Sequence, residues 1–236
     1  MKAHMEIYAT LAAALSPFGL LPRGGFHPEA GDGVPPLPSG RRVGTVILAG
    51  NAGPAMWEAF AVSAEARDGK PDPLDRWTVR VLSSVAAAIG AALLFPFGPG
   101  ARPIFRWAKR AEGIAQSPIG LLIHPDYGLW HAYRGVFCFE TRHPVPPPLT
   151  AAKPCEGCVA KPCLTTCPVG AFQNGAYDVP RCIGHLESPE GGDCRGGGCL
   201  ARRACPVGPA YAPPQAGFHM AAFLRAAGAG KSAGNQ

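Results

Sequence analysis

The chain has 236 residues, of which 47% are hydrophobic and 16% are charged, and its formal net charge is +6. This composition supports a sizeable core and excludes global disorder, and the length allows one large domain or two modest ones. No long run of Lys or Arg occurs, so the sequence gives no argument for a nucleic-acid partner and none is expected.

The first 143 residues are predicted to form a domain of mixed helices and strands. Hydrophobic spacing and start and stop signals predict helices at 3–16, 54–66, from Asp72 to about 89, and 105–112. Strands rich in apolar and β-branched residues are predicted at 43–49, 91–95, 120–123 and 135–139. Residues 17–43 are expected to form a loop. The apolar run at 81–97 is broken by Gly90 and Pro96, so no membrane span is predicted.

A Pro-rich segment at 144–154 is predicted to act as a stiff linker before a second domain at 155–236. A last helix is expected at 221–227. The tail at 228–232 imitates the end of a phosphate-binding loop, but Arg225 stands where the first glycine is required. We therefore interpret this end of the chain as a frayed tail.

Eight of the nine cysteines lie between residues 155 and 205, and the tetrapeptide Cys-Pro-Val-Gly occurs at 167–170 and again at 205–208. A 4Fe-4S cluster is held by four thiolates, and in bacterial two-cluster proteins the cysteine before proline ligates the other cluster. The pattern therefore predicts two 4Fe-4S clusters with crossed ligation. The predicted ligands are Cys155, Cys158, Cys163 and Cys205 for the first cluster, and Cys167, Cys182, Cys194 and Cys199 for the second.

Other interpretations of the cysteines stay open. Similar pairs could hold two zinc ions, and an even number of cysteines could form disulfides, although disulfide frameworks belong mainly to short secreted chains. Two gaps in the pattern, after Cys158 and after Cys199, are longer than usual, which leaves the number of clusters at one or two. Because cluster thiolates need a reducing compartment, a cytoplasmic location is expected.

Two family resemblances accompany these patterns. The cysteine segment, including residues 182–187, resembles the ferredoxin-type module of epoxyqueuosine reductases and reductive dehalogenases. Residues 1–138 are similar to the cobalamin-processing family of the cblC type. The matching pieces occur in order at 17–19, 35–38, 53–56, 72–75 and, most specifically, 124–135.

These resemblances imply a flavin-reductase-like α+β domain followed by a small bacterial-ferredoxin-like iron–sulfur domain. They imply cobalamin bound without a protein imidazole on cobalt. In the cobalamin-processing family the arginine that matches Arg134 lines a thiol-binding pocket, so Arg134 could hold a carboxylate or a phosphate here. The long C-terminal repeat region of epoxyqueuosine reductases is absent, which argues against tRNA modification.

The predicted cofactor-binding residues of the first domain are His124, Tyr127, Trp130 and Arg134. Each has a structural alternative: hydrogen bonding in a turn for the histidine, core packing for the aromatic residues, and an ion pair for the arginine. Cys138 lies in an apolar run and is expected to be a packed thiol. No catalytic residue can be assigned from the sequence.

The predicted function is the relay of single electrons through the two clusters to an acceptor in the first domain. A corrinoid is the first candidate acceptor and FMN the second, and an electron-donor protein or reductase is the expected partner. As an enzyme, the protein would be an oxidoreductase that reduces cobalamin or removes its upper ligand. The alternative is a ferredoxin-like carrier or a corrinoid-trafficking module without catalysis of its own.

Overall fold

The computed structural model describes residues 6–98, 100, 102–150, 153–173 and 175–233, with side chains as far as residue 227. Residues 3–5 of the first predicted helix and the side chains of the tail at 228–232 lie outside this description. The contacts divide the chain into two compact units. Unit 1 comprises Met1–Ile114 and His131–Ala151, and unit 2 comprises Ala115–Trp130 and Ala152–Gln236.

The described chain is a mixture of helices and short strands, which confirms the predicted α+β class. The strands are β1 Leu21–Phe26, β2 Thr45–Ala52, β3 Ala92–Leu94, β4 Ala115–Gln116, β5 Leu122–Ile123, β6 His131–Phe139, β7 Phe172–Gln173 and β8 Ala176–Tyr177. The α-helices are α1 Glu6–Leu15, α2 Ala55–Ala61, α3 Ala64–Arg67, α4 Pro73–Ile89, α5 Ile104–Glu112, α6 Pro154–Gly157, α7 Pro162–Thr165, α8 Val179–Glu187, α9 Gly192–Gly197, α10 Leu200–Arg203 and α11 Pro213–Ala233. Short 3-10 turns occur at Ser16–Phe18, Ala30–Asp32 and Pro189–Gly191.

Unit 1 is built on a four-stranded antiparallel sheet with the order β1-β2-β6-β3. Residues 46–49 of the inner strand β2 are fully buried, as their apolar side chains predict. The pairing of β2 with β6 shifts register between Ala49 and Gly50. A Cβ atom at Gly50 would lie 2.0 Å from the carbonyl oxygen of Ala132, so only glycine allows this close approach of the two strands.

Helix α4 follows the sequence prediction closely. Its buried face has the spacing of one side of a helix and consists of Leu74, Trp77, Thr78, Val81, Leu82, Val85 and Ala86. The helix ends at Gly90, which has a φ of 68° and whose N–H donates to the Ala86 carbonyl. Asp72 precedes the helix as predicted, but it has a φ of 50° and its side chain makes no capping bond.

Strand β1 shows that the prediction of loop for all of residues 17–43 was wrong. The strand contains Pro22, Gly24 and Gly25, which are poor strand formers, and this composition hid it. Proline is tolerated because β1 is an edge strand whose register breaks between Pro22 and Gly25. The strand matters because it carries the buried Arg23 into unit 1.

The Pro-rich segment does not lie free after β6. The N–H of Leu149 donates to the Glu112 carbonyl at 2.9 Å, and a Cβ atom at Gly25 would lie 2.8 Å from the Val145 side chain. Residues 144–150 therefore pack along unit 1, whereas a linker between two domains was predicted for 144–154.

Unit 2 consists of short helices, two small hairpins and the long helix α11, which begins eight residues before the helix predicted at 221–227. Residues 115–130, assigned to the first domain from the sequence, belong to this unit. Their apolar side chains share one core with side chains of the cysteine segment. This core consists of Ile119, Ile123, Leu129, Cys163, Phe172 and Ala201. Across the part of the chain that is described, no helix combines the length and the hydrophobicity needed to cross a bilayer.

Candidate functional site

The first four predicted cluster ligands lie round one cavity of unit 2, which we call the first cavity. It has a volume of about 240 Å³ and mostly apolar walls. Cys155 comes from α6, Cys158 from the end of that helix, Cys163 from α7, and Cys205 from the turn after α10. The segment 115–130 completes the wall with Ser117, Pro118, Ile123 and Leu129.

Lys161 closes the loop that carries the first three cysteines. Its Nζ donates to the carbonyl of Cys155 at 2.6 Å and to the carbonyl of Cys158 at 3.0 Å. Its backbone has a φ of 41°, a left-handed conformation that is strained for any residue other than glycine. Lys161 lies in the segment between Cys158 and Cys163, which is longer than usual for such a pattern. The loop is thus held together by an ammonium group that donates to the loop's own carbonyls.

The other four predicted ligands line a second cavity, with a volume of about 20 Å³. Cys182 lies on α8, Cys194 on α9 and Cys199 just before α10, while Cys167 follows α7. The backbone N–H of Ala171 donates to the Cys167 sulfur at 3.3 Å. Hydrogen bonds from a backbone amide to sulfur stabilise thiolates and iron–sulfur clusters.

Burial and crowding act against ionisation of these thiols. Burial raises the pKa of Cys155 and Cys163, and the neighbouring sulfur of Cys205 raises both further. In the second group burial raises the pKa of Cys182 and Cys199. Four adjacent thiolates therefore need a positively charged group among them, and binding to a metal centre would deprotonate them and remove the mutual repulsion.

The two cavities fit an iron–sulfur cluster unequally. The first is lined by four cysteines and apolar atoms and is far larger than the space of one metal ion at bond lengths of about 2.3 Å. The second has the four cysteines and a sulfur-directed amide, and its volume of about 20 Å³ is much smaller than that of the first. Among the described residues no group of His, Cys, Asp or Glu side chains is arranged to hold a single metal ion.

Unit 1 contains a buried charged network that sequence reasoning missed. Arg23 is 1% exposed and makes a bidentate pair with Glu112, from Nε to Oε1 at 2.7 Å and from Nη2 to Oε2 at 2.9 Å. The Tyr133 hydroxyl donates to the same carboxylate, and burial raises the pKa of Tyr133. Nη2 of Arg23 lies 3.2 Å from Nδ1 of His131. Because arginine only donates, that Nδ1 is the acceptor, and the ring proton is on Nε2.

One signal in the sequence could have revealed Glu112. It falls on the buried face of α5 together with Ile104, Trp107, Ala108 and Ala111. A charged residue on an apolar stripe needs a buried partner. The sequence does not show which arginine supplies that partner, because Arg23 is 89 positions away.

The four residues predicted to bind a cofactor are divided between the units. His124, Tyr127 and Trp130 belong to unit 2, and Arg134 belongs to unit 1. The rings of His124 and Tyr127 stack with centroids 4.2 Å apart, and Nδ1 of His124 accepts from the backbone N–H of Asp126 at 3.1 Å. The histidine is buried, so the turn-forming alternative describes its contacts in this structure.

The other two residues also have partners within their own units. The guanidinium carbon of Arg202 lies 4.3 Å from the Trp130 ring centroid, and Trp130 is buried. Nε of Arg134, on β6, donates to Oδ1 of Asn51 at 3.3 Å. Burial raises the pKa of the nearby Asp75, an effect that the charge of Arg134 opposes. Strand β6 starts at His131, four residues before the strand predicted at 135–139.

Cys138, the ninth cysteine, is buried in β6 of unit 1 and lines neither cavity. Burial raises its pKa to about 12, which keeps it a neutral thiol. This placement agrees with the expectation of a packed thiol.

Comparison with known proteins finds similarity in structure only. No protein-family model and no curated protein sequence matches the chain. The structure of the Caenorhabditis elegans B12-trafficking protein CblC matches with 15% identity and a TM-score of 0.50, over 91% of this chain and 90% of that chain. The epoxyqueuosine reductase of Bacillus subtilis also matches with 15% identity and a TM-score of 0.50, over 86% of this chain and 65% of that chain.

Two further epoxyqueuosine reductase structures match with lower TM-scores. The enzyme from Streptococcus thermophilus has a TM-score of 0.44 and 16% identity, over 70% of this chain and 49% of that chain. An epoxyqueuosine reductase bound to a tRNA stem loop has a TM-score of 0.46 and 15% identity, over 85% of this chain and 65% of that chain. The chain thus spans less than two thirds of these reductases, and what the comparisons establish is a fold of the type seen in CblC and in epoxyqueuosine reductase.

Proposed function

We propose that this chain is an iron–sulfur redox protein that relays single electrons through two 4Fe-4S clusters to an acceptor bound by the first domain of the sequence prediction, residues 1–143. The observation that carries the proposal is the sorting of eight cysteines into two groups of four. Each group lines its own cavity and takes its members from separated stretches of the chain. In two-cluster ferredoxins the cysteine that precedes a proline typically ligates the cluster of the other group.

In this proposal the first cavity holds a cluster on Cys155, Cys158, Cys163 and Cys205, and the second on Cys167, Cys182, Cys194 and Cys199. Such clusters supply one-electron transfer at potentials set by burial, charge and hydrogen bonds to sulfur. The chain's own contribution is to hold the thiolates, exclude water with apolar walls, donate the Ala171 amide to the Cys167 sulfur, and fix the loop of the first cysteines through Lys161.

We infer that the acceptor is a corrinoid, with a flavin as the second candidate. Two arguments support a corrinoid: the sequence resemblance of residues 1–138 to cobalamin-processing proteins, and the likeness in fold to a B12-trafficking protein. Cobalt reduction needs a strong one-electron donor, which a low-potential cluster provides. His124, Tyr127, Trp130 and Arg134 stay the proposed contacts. As an enzyme the chain would be an oxidoreductase, and the alternative is an electron carrier or a corrinoid-trafficking module.

The first experiment counts iron and acid-labile sulfide in protein prepared without air. Two clusters give about eight of each per chain, and one cluster gives about four. Cys205→Ser should remove the cluster of the first cavity and halve the iron content. Cys138→Ser is the matched control, because it removes a cysteine that lines neither cavity. A preparation that contains zinc in place of iron, or an equal loss of iron in both variants, would refute the proposal.

The second experiment adds cobalamin to the reduced protein and follows its visible spectrum. Reduction with turnover supports the enzyme, a spectral shift without turnover supports the carrier, and an unchanged spectrum rejects a corrinoid acceptor. Arg134→Ala should weaken binding at least tenfold if its guanidinium contacts the ligand. Arg41→Ala, which removes an exposed arginine paired with Glu140, is the control and should bind as the unmodified protein does.

We predict that this chain binds no nucleic acid. An epoxyqueuosine reductase has been crystallised with a tRNA stem loop, so the prediction needs a direct test. A gel-shift titration with tRNA at physiological salt tests it. A Kd no tighter than the 10⁻⁴ to 10⁻⁶ M that is ordinary for non-specific nucleic-acid binding agrees with the prediction, whereas clearly tighter binding to one tRNA contradicts it.

A further inference from the structure

Ser117 is an unpaired polar group in the wall of the first cavity. Its residue is 7% exposed, and it lines the cavity alongside the four cysteines. Within the described part of the chain its buried hydroxyl has no hydrogen-bond partner. A buried hydroxyl without a partner loses its hydrogen bonds to water and gains none in the protein, so it calls for an explanation.

The backbone holds Ser117 firmly in place. Its N–H donates to the Leu121 carbonyl at 2.7 Å, and its own carbonyl accepts from the N–H of Gly120 at 3.0 Å. Both main-chain groups are therefore satisfied within one tight turn, and the side chain alone lacks a partner. The next residue, Pro118, also lines the cavity, so the turn contributes two neighbouring residues to the wall that the cysteines share.

We propose that Ser117 donates an O–H···S hydrogen bond to the iron–sulfur cluster of the first cavity and thereby raises its reduction potential. This inference rests on the proposed function. A hydroxyl hydrogen rotates freely about its C–O bond, so it can point at a cluster or cysteine sulfur without any movement of the backbone. The bond strengthens when the cluster gains an electron, because sulfur then carries more negative charge.

Ser117 lies far from the cysteine segment in the sequence. The hydroxyl comes from the segment 115–130, which lies outside the cysteine stretch and precedes the Pro-rich segment. A serine in that segment would be a positioning and tuning residue for a cofactor whose ligands begin 38 positions later, at Cys155.

The test compares Ser117→Ala with Ser117→Thr, which keeps the hydroxyl, in protein loaded with iron and prepared without air. A redox titration followed by EPR gives the midpoint potential of each cluster. We expect Ser117→Ala to lower one midpoint and leave the other unchanged. A tenfold change in the reduction equilibrium, about 59 mV for a one-electron couple, is the expected size. Pulsed EPR in deuterated buffer should also show one exchangeable proton fewer near that cluster, and Ser117→Thr should restore it.

Ser63→Ala is the matched control, since its hydroxyl accepts from the N–H of Ala66 in unit 1. Unchanged midpoints and proton couplings in Ser117→Ala, with the full iron content present, would overturn the inference and leave the proposed function standing. Protein without iron would overturn both. The iron assay made on the same samples separates these two results.

Discussion

Replacing Glu112 by Gln tests the buried charged network of unit 1. The substitution keeps the shape of the side chain but removes its charge, which leaves the guanidinium of Arg23 buried beside a neutral amide. Two hydrogen bonds from Arg23, at 2.7 and 2.9 Å, and one from the Tyr133 hydroxyl lose their charged acceptor. Breaking a buried ion pair by removing one partner costs about 3–5 kcal/mol, so we expect a loss of stability in that range.

Urea unfolding followed by tryptophan fluorescence measures this loss. Trp77 and Trp107 are buried in unit 1, so their emission reports on the unit that contains the network. Glu140→Gln is the control, because its pair with Arg41 has side chains 49% and 68% exposed and should cost less than about 1 kcal/mol. A loss of less than about 1 kcal/mol for Glu112→Gln would refute the reasoning.

A double variant separates the loss of the pair from the penalty of an unpaired charge. Replacing Arg23 by Met and Glu112 by Leu removes both charges from the core of unit 1. Substitutions of this kind are often neutral or stabilising relative to the pair. We expect the double variant to be more stable than Glu112→Gln alone, and equal or lower stability would contradict the assignment of the cost to the uncompensated guanidinium.

Three further predictions concern single residues. Replacing Lys161 by Met removes two hydrogen bonds to the cysteine loop and should speed iron loss to a chelator about tenfold, whereas Lys153→Met, in an exposed pair, should not; equal rates would contradict this. Gly128→Ala should destabilise unit 2 by more than about 2 kcal/mol in urea unfolding, because φ is 56° and the new Cβ would lie 1.7 Å from a carbonyl oxygen. Gly40→Ala, at a φ of 79° with open space, should cost only about 1 kcal/mol. The guanidinium of Arg80, on α4, is hydrogen-bonded to Glu65 and lowers the pKa of that carboxyl to about 2. NMR titration should therefore find Glu65 ionised at pH 3. Since the folded pKa lies below that of free glutamate, this pair stabilises the fold above about pH 4, and the stability is lost as the pH falls through about 2.

The grouping of the cysteines could be predicted because it depends on short-range features. Three closely spaced cysteines wrap one site, and the proline after the fourth redirects the chain. The structure lines each cavity with the four cysteines that the spacing assigns to it, and ligation of iron by them stays a prediction. Helix α4 could be predicted for a similar reason, since periodicity and the stop at Gly90 are both local.

What the sequence could not reveal depends on long-range partners. Strand β1 has a composition unfavourable for strands and forms because its backbone pairs with that of β2. Arg23 and Glu112 meet across 89 positions, and nothing local marks them as a pair. The apolar residues of 115–130 show that the segment is buried, but apolar pattern does not show against which unit, so the domain boundary drawn from the sequence differs from that of the structure.

The order of the cysteines along the chain has a consequence for how unit 2 matures. Cys205 joins the first three cysteines only after the chain has passed through all four members of the other group. The second group is therefore nested inside the first: it is complete at Cys199, whereas the first group stays incomplete in any nascent chain that ends before residue 205. In the proposed two-cluster protein, the ligands of the second cavity are therefore all synthesised before those of the first, and the first cluster closes last.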